Sequence, residues 1–185
     1  MTDVRALRQE VAKRRASHVA SAFGEIPSSI PYLDGLLTQA ASLDEEHLLF
    51  ALILGECTRA ENRQAEVHYL QRQIDTLPLQ PIFVASLATA LASSPGSEAE
   101  ALARCAEAVE LARREERQIR YCLTCQARVA LALDDYGVLT GALKGLVADA
   151  KSTRTEDTGY EFDFLDQIDA QRCDAELLAS YRALA

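Results

Sequence analysis

Apolar side chains along this chain recur mostly three and four residues apart, the spacing that gathers them on one side of an α-helix. Val4, Leu7, Val11, Val19 and Phe23 follow it at the start, with Arg5, Arg8, Lys13, Arg14 and Arg15 opposite, so one amphipathic helix is predicted from near Thr2 to Phe23. Gly24-Glu25-Ile26-Pro27-Ser28-Ser29 breaks it, and Leu33, Leu36, Leu37 and Ala40 mark a second helix from roughly Pro31 to Ala41. Ser42-Leu43-Asp44-Glu45 matches a capping box, in which hydroxyl and carboxylate each satisfy a free amide. The run Leu48 to Leu54 behind it is apolar all round, and its cap and its length to Cys57 favour a buried helix over a buried strand.

Ala60, Val67, Leu70, Ile74 and Leu77 carry a fourth helix, punctuated by Pro78 and Pro81, and Ile82 to Ala92 forms a fifth. Ser97-Glu98-Ala99-Glu100 is a second capping box, opening a helix with Ala99, Leu102, Ala103, Ala106 and Val109 on one face. A seventh is predicted from about Glu116 to Leu133, a turn at Asp134-Asp135, and an eighth bearing Val138, Leu139, Ala142, Leu143, Leu146 and Val147. Lys151 to Gly159 reads as a loop, and helical sequence resumes from about Tyr160 to the end, with a break near Ala170. Short turns oblige sequence neighbours to pack as antiparallel hairpins. The expectation is an all-α chain of about nine helices, with a helical hairpin over 1–42, helical pairs over 43–150 and an acidic helical region over 151–185, all within one structural domain.

Three stretches share a plan: a first helix with a small or apolar residue at its centre, a turn, and a second helix with small residues one turn apart. His47 to Pro78 pivots on Ile53, Ala65 and Tyr69; Ile82 to Leu111 on Ala88, Ala101, Cys105 and Ala108; Tyr121 to Val147 on Ala127, Leu139, Leu143 and Leu146. The phrase from Ala101 to Leu111 is similar to the second helix of the tetratricopeptide repeat, and Leu133-Asp134-Asp135-Tyr136 resembles its turn. The chain departs from that family at Ile53, where glycine or alanine is usual, at Arg72, and at Leu139 and Leu146. The resemblance implies a short α-solenoid of stacked hairpins whose first helices line a concave groove. Its groove-facing positions would be His47, Phe50, Leu54 and Cys57, then Ile82, Ala85 and Thr89, then Tyr121, Thr124 and Arg128. The Lys/Asn/Arg cluster with which some family members clamp a terminal carboxylate is missing from these positions.

Composition sharpens the class. Of 185 residues 49% are apolar, enough for a sizeable core, while absent Trp and 6% aromatics argue against a β-sandwich or barrel. A net charge of −9 argues against a nucleic-acid or anionic-membrane partner, because either requires cations that displace counterions. No apolar run reaches the roughly 18 residues of a membrane span, and the charged start is unlike a secretory signal, so the cytosol is the expected compartment. Five cysteines at scattered positions read as reduced thiols.

The candidate chemistry is thin. Cys122 and Cys125 have the spacing of a zinc or redox pair, but no further ligand pair accompanies them, and neighbouring turns of one helix explain them. His18, His47 and His68 fall on separate helices outside any recognised catalytic spacing. Asp157-Thr158-Gly159 lacks the second copy an aspartic protease needs. Glu161, Asp163, Asp166 and Asp169 lack the central glycine and alternation of a calcium loop. Gly137, Gly141 and Gly145 form a bare helical stripe, read as a place of close helix packing.

From Glu156 to Glu176 eight acids stand against Arg172, interleaved with Tyr160, Phe162, Phe164 and Ile168, which makes an acidic docking surface with aromatic anchors conceivable. The functional expectation is therefore a protein-binding module, scaffold, adaptor or chaperone-like, rather than an enzyme, with no catalytic set, metal or cofactor. Its partner would be a peptide or helix held in the groove by His47, Phe50, Leu54, Ile82, Thr89, Tyr121, Thr124 and Arg128. The competing expectation is an inhibitor or immunity-type protein that occludes a basic partner with Tyr160, Glu161, Phe162, Asp163 and Asp166. Self-association through the glycine stripe is a further route.

Overall fold

A computed structural model describes residues 3–152 and 160–184. Among them are nine α-helices and one β-hairpin, so the all-α class holds in the main. The loop expected over Lys151–Gly159, with Glu156 and the Asp157-Thr158-Gly159 triplet, lies outside the described residues except for Lys151 and Ser152, which turn. No helix among the described residues is long and apolar enough to cross a membrane. The chain divides into two compact units, Met1–Leu79 and Gln80–Ala185, the line falling within the 43–150 stretch that the repeat pattern reads as one run.

The N-terminal unit begins with α1 (Val4–Arg14), whose N-cap Asp3 accepts from the amides of Arg5 and Ala6. The helix predicted to reach Phe23 stops here. Its buried face is exhausted after Leu7 and Val11, and the chain turns back as β1 (His18–Ser21) and β2 (Gly24–Pro27). Gly24 has φ +83°, which side-chain-bearing residues rarely adopt, and Ser21 Oγ donates to its carbonyl at 2.9 Å. Ser28 ties the base down, its amide donating to Ser17 O and its hydroxyl to Arg14 O, both at 2.8 Å. An isolated hairpin is marginal in water. This one buries Ile26, rests Phe23 on His68 with ring centroids 4.9 Å apart, and accepts a hydrogen bond from Asn62 Nδ2 at Phe23 O.

Next come α2 (Ser29–Leu37), α3 (Leu43–Arg59) and α4 (Arg63–Thr76), each packed on its predecessor. The capping box at Ser42 forms in part: its hydroxyl accepts from the Glu45 amide at 3.3 Å, while the Glu45 carboxylate reaches back to Ala41. Ile30, Leu33, Phe50, Ile53 and Ala65 are fully buried and make the core.

The C-terminal unit holds α5 (Pro81–Ala92), α6 (Glu98–Glu115), α7 (Ile119–Ala132) and α8 (Tyr136–Ala150). Each packs on the next, and α5 also packs on α7, as first helices of successive pairs do when hairpins stack. At the second expected capping box Ser97 makes no side-chain cap; Glu98 instead accepts from the Gly96 amide. The α3–α4 and α7–α8 turns are built alike. Glu61 and Asp134 take left-handed φ of 53° and 59°, and Asn62 and Asp135 then cap α4 and α8 through the Ala65 and Val138 amides, each at 3.0 Å.

Two further expectations need correction. Residues after Tyr160 are not one long helix: 160–162 have no regular structure, the chain turns at 163–164 into a single 3₁₀ turn at Leu165–Gln167, and only α9 (Ala175–Arg182), capped by Asp174, is α-helical. The glycine stripe is not a packing seam along its length. A Cβ on Gly145 would lie 2.8 Å from Leu123 Cδ2, but one on Gly141 would meet nothing within 4 Å.

Candidate protein-docking surface

In the C-terminal unit α5 and α7 lie side by side, joined by polar links between apolar rows. The Ile82 amide donates to Gln118 Oε1 at 3.1 Å, fixing the start of α5 against that of α7. One turn on, Ser86 Oγ and Tyr121 OH are 3.4 Å apart, and the Cys125 thiol shares hydrogen bonds with both Tyr121 and Thr89. Burial pushes the Cys125 thiol up and these hydrogen bonds only partly offset it, so the sulfur stays protonated and unreactive. Thr89 and Thr124 turn their hydroxyls back to the Ala85 and Arg120 carbonyls of their own helices. Of the expected groove residues on this unit, Thr89 is exposed, Ile82, Tyr121 and Arg128 are half-buried, and Thr124 is buried.

The chain's own segment from Tyr160 lies along α7. The Tyr160 hydroxyl donates to Asp149 Oδ2 at 3.0 Å, Arg120 Nε donates to the same oxygen at 3.0 Å, and the Arg120 guanidinium sits 4.2 Å from the Tyr160 ring centroid. Two turns further, Arg128 pairs with Glu161 and Asp163, each at 2.6 Å. Burial works to lower the Arg128 pKa, but the hydrogen bond to Asp163 and the two carboxylate charges raise it overall. The reciprocal bond holds the Asp163 carboxyl below its usual range.

Arg128, Leu131, Ala132, Asp134, Tyr136, Asp163, Phe164 and Gln167 then line a cavity of about 410 Å³. Beyond it the Asp169 amide donates to Tyr136 OH at 3.0 Å, and Arg172 pairs with Asp134 while covering the Tyr136 ring at 3.9 Å. The aromatics expected as outward anchors turn inward. Phe162 and Phe164 stack beside Tyr181, with centroids 5.3 and 6.1 Å away, and the buried Tyr181 donates to Glu161 O at 2.7 Å. Asp166, Asp169, Asp174 and Glu176 stay exposed.

In the N-terminal unit the expected groove residues sit on α3. Phe50 is completely buried, so it serves the core rather than an open face, and His47 and Leu54 are half-buried. Arg120, Asp149 and Ser86 escaped the sequence reading. Arg120 carried a usable signal, since Arg120, Thr124 and Arg128 recur every four residues along one side of α7.

Comparison with family models, with curated proteins and with solved structures finds no match. The likeness to tetratricopeptide repeats thus rests on the residues alone.

Proposed function

We propose that the chain is a protein-interaction module in which the α5–α7 face of the C-terminal unit receives an extended segment of a partner. The supporting observation is that Tyr160 to Phe164, itself non-helical, already lies along α7 through arginine–carboxylate pairs and ring packing. A surface with such chemistry suits non-helical peptide, and the α5 side of it, with exposed Thr89 and half-buried Ile82 and Tyr121, is open to a second strand. In this reading the partner runs beside the chain's own segment, apolar side chains toward Ile82 and polar groups toward Thr89 and Tyr121.

The inhibitor reading draws on one observation, the exposed carboxylates of Asp166, Asp169, Asp174 and Glu176. It has less support, because two of its aromatics, Phe162 and Phe164, are stacked beside the buried Tyr181. Hydrogen-exchange footprinting of the chain bound to a co-purified partner tests the choice. Protection concentrated on residues 82–89 and 120–128 supports the α5–α7 face, whereas protection confined to 166–176 overturns it.

A further inference from the structure

The cleft in question belongs to the N-terminal unit and is independent of the α5–α7 face. Arg15, His18, Glu25, Pro27, Glu56 and Arg59 line a cavity of about 230 Å³ between the hairpin and the last turn of α3. Its floor is Glu56, whose side chain is 4% exposed and whose carboxylate is saturated. Arg15 donates to it from Nε at 2.9 Å and from Nη2 at 2.6 Å, and Ser29 Oγ donates at 2.8 Å. Arg59 Nε lies 3.5 Å from the same carboxylate. One buried acid thus orients two guanidiniums, leaving Arg15 Nη1 and both terminal nitrogens of Arg59 without a hydrogen bond among the described residues.

Two arginines sharing the Glu56 carboxylate carry one net positive charge, which the Glu25 carboxylate balances across the mouth of the cleft. His18 faces it from the hairpin, because His18 pairs with Pro27 and Glu25 pairs with Ala20, which puts all four on one face of the ladder. Donors therefore approach from three elements: the end of α1, the end of α3 and strand β1. A planar carboxylate is satisfied by a single guanidinium fork, but a tetrahedral group needs donors from several directions. The volume is below that of a whole-metabolite pocket and suits a headgroup.

We infer that this cleft is a binding site for a phosphate group, held by Arg15, Arg59 and His18 and positioned by Glu56. Glu25, which has no partner among the described residues, stands where it can accept from a donor carried by the same ligand. The chemistry is shared by free phosphate and by small phosphate esters, and the two sources differ in whether Glu25 is used.

The test is a titration of the full chain with inorganic phosphate and with O-phosphoserine, followed by amide chemical shifts. Arg59 is 58% exposed, so Arg59→Gln leaves the Arg15–Glu56–Ser29 core in place and removes a ligand donor together with an exposed ion pair to Glu56. It is expected to weaken phosphate binding about tenfold or more, the worth of a charge-assisted hydrogen bond, with His18→Gln giving a smaller loss. Arg8→Gln on α1, an equal change in charge, is expected to have no effect. Tighter binding of O-phosphoserine than of phosphate, lost in Glu25→Gln, identifies an ester, and equal binding identifies the free ion. Absence of binding by either probe, or equal weakening by Arg8→Gln and Arg59→Gln, overturns the site.

Discussion

Removing Arg15 is expected to destabilise the N-terminal unit in a manner that depends on pH. The guanidinium is the main partner of Glu56, a carboxylate almost wholly out of water. Stripping one partner from a buried pair costs roughly 3–5 kcal/mol, because the charge left behind stays desolvated. Arg15 itself is 38% exposed, and Arg59 and Ser29 remain near the acid in Arg15→Ala, so solvent and these groups reduce the loss to about 2 kcal/mol. Burial pushes the Glu56 carboxyl up, but the hydrogen bonds from Arg15 and Ser29 and the charges of Arg15 and Arg59 hold it below its ordinary value. Ionisation of a group with a lowered folded pKa stabilises the fold above the unfolded value, and that contribution is lost as pH falls through the folded pKa. Without Arg15 the folded pKa rises and the contribution at pH 7 shrinks. The gap between native chain and variant is therefore widest at neutral pH and closes below about pH 4. Native-state hydrogen exchange of the Phe50 and Ile53 amides in α3 reads this unit by itself, and protection should fall roughly thirtyfold at pH 7. A fall of less than twofold, or a deficit unchanged between pH 7 and pH 4, would refute the reasoning.

Three other outcomes follow from the geometry. Gly145→Ala forces a Cβ to 2.8 Å from Leu123 and should lower the melting temperature, whereas Gly141→Ala, with open space, should gain about 1 kcal/mol of helix propensity; equal signs in thermal denaturation would contradict this. Asn62→Ala removes both the α4 cap and the bond to Phe23 O, and should cost about 1–2 kcal/mol with hydrogen-exchange protection lost across β1 and β2; an unaffected hairpin would show that Asn62 does not anchor it. Burial pushes the Cys57 and Cys105 thiols up to about 12, so at pH 8 both should react with a disulfide reagent only on unfolding, as mass spectrometry of partly labelled chain can read.

How far the sequence revealed the fold depends on which signal each segment carried. From Ser42 to Ala150 helical spacing, caps and prolines agree, and the helices fall close to where they are predicted. The hairpin was invisible because Val19 and Phe23 continue the three-and-four spacing of α1, although Val19 is 39% exposed and faces away from the core. Its turn, Ala22-Phe23 before Gly24, also lacks the Asn-Gly type of signal that marks two-residue loops. The segment after Tyr160 did carry a signal against helix: Tyr160, Phe162 and Phe164 alternate with acids at a period of two, which builds no single helical face, and the chain there is non-helical. The acid count drew attention instead. Within the candidate surface, Thr89, Tyr121 and Arg128 could be placed on helix faces from the repeat resemblance. That Arg128 is engaged by Glu161 and Asp163 could not, because the pairing joins residues far apart in the chain.

Capture by surface variants tests most directly whether this is a module that binds through α5 and α7. Tagged native chain, Ile82→Arg/Thr89→Arg and Asp166→Lys/Asp169→Lys/Asp174→Lys are each incubated with native lysate, and recovered proteins are quantified by mass spectrometry. The account predicts a partner retained by the native chain and the acidic-surface variant and lost from the α5 variant. A partner retained by the α5 variant and lost with the three charge reversals would contradict it.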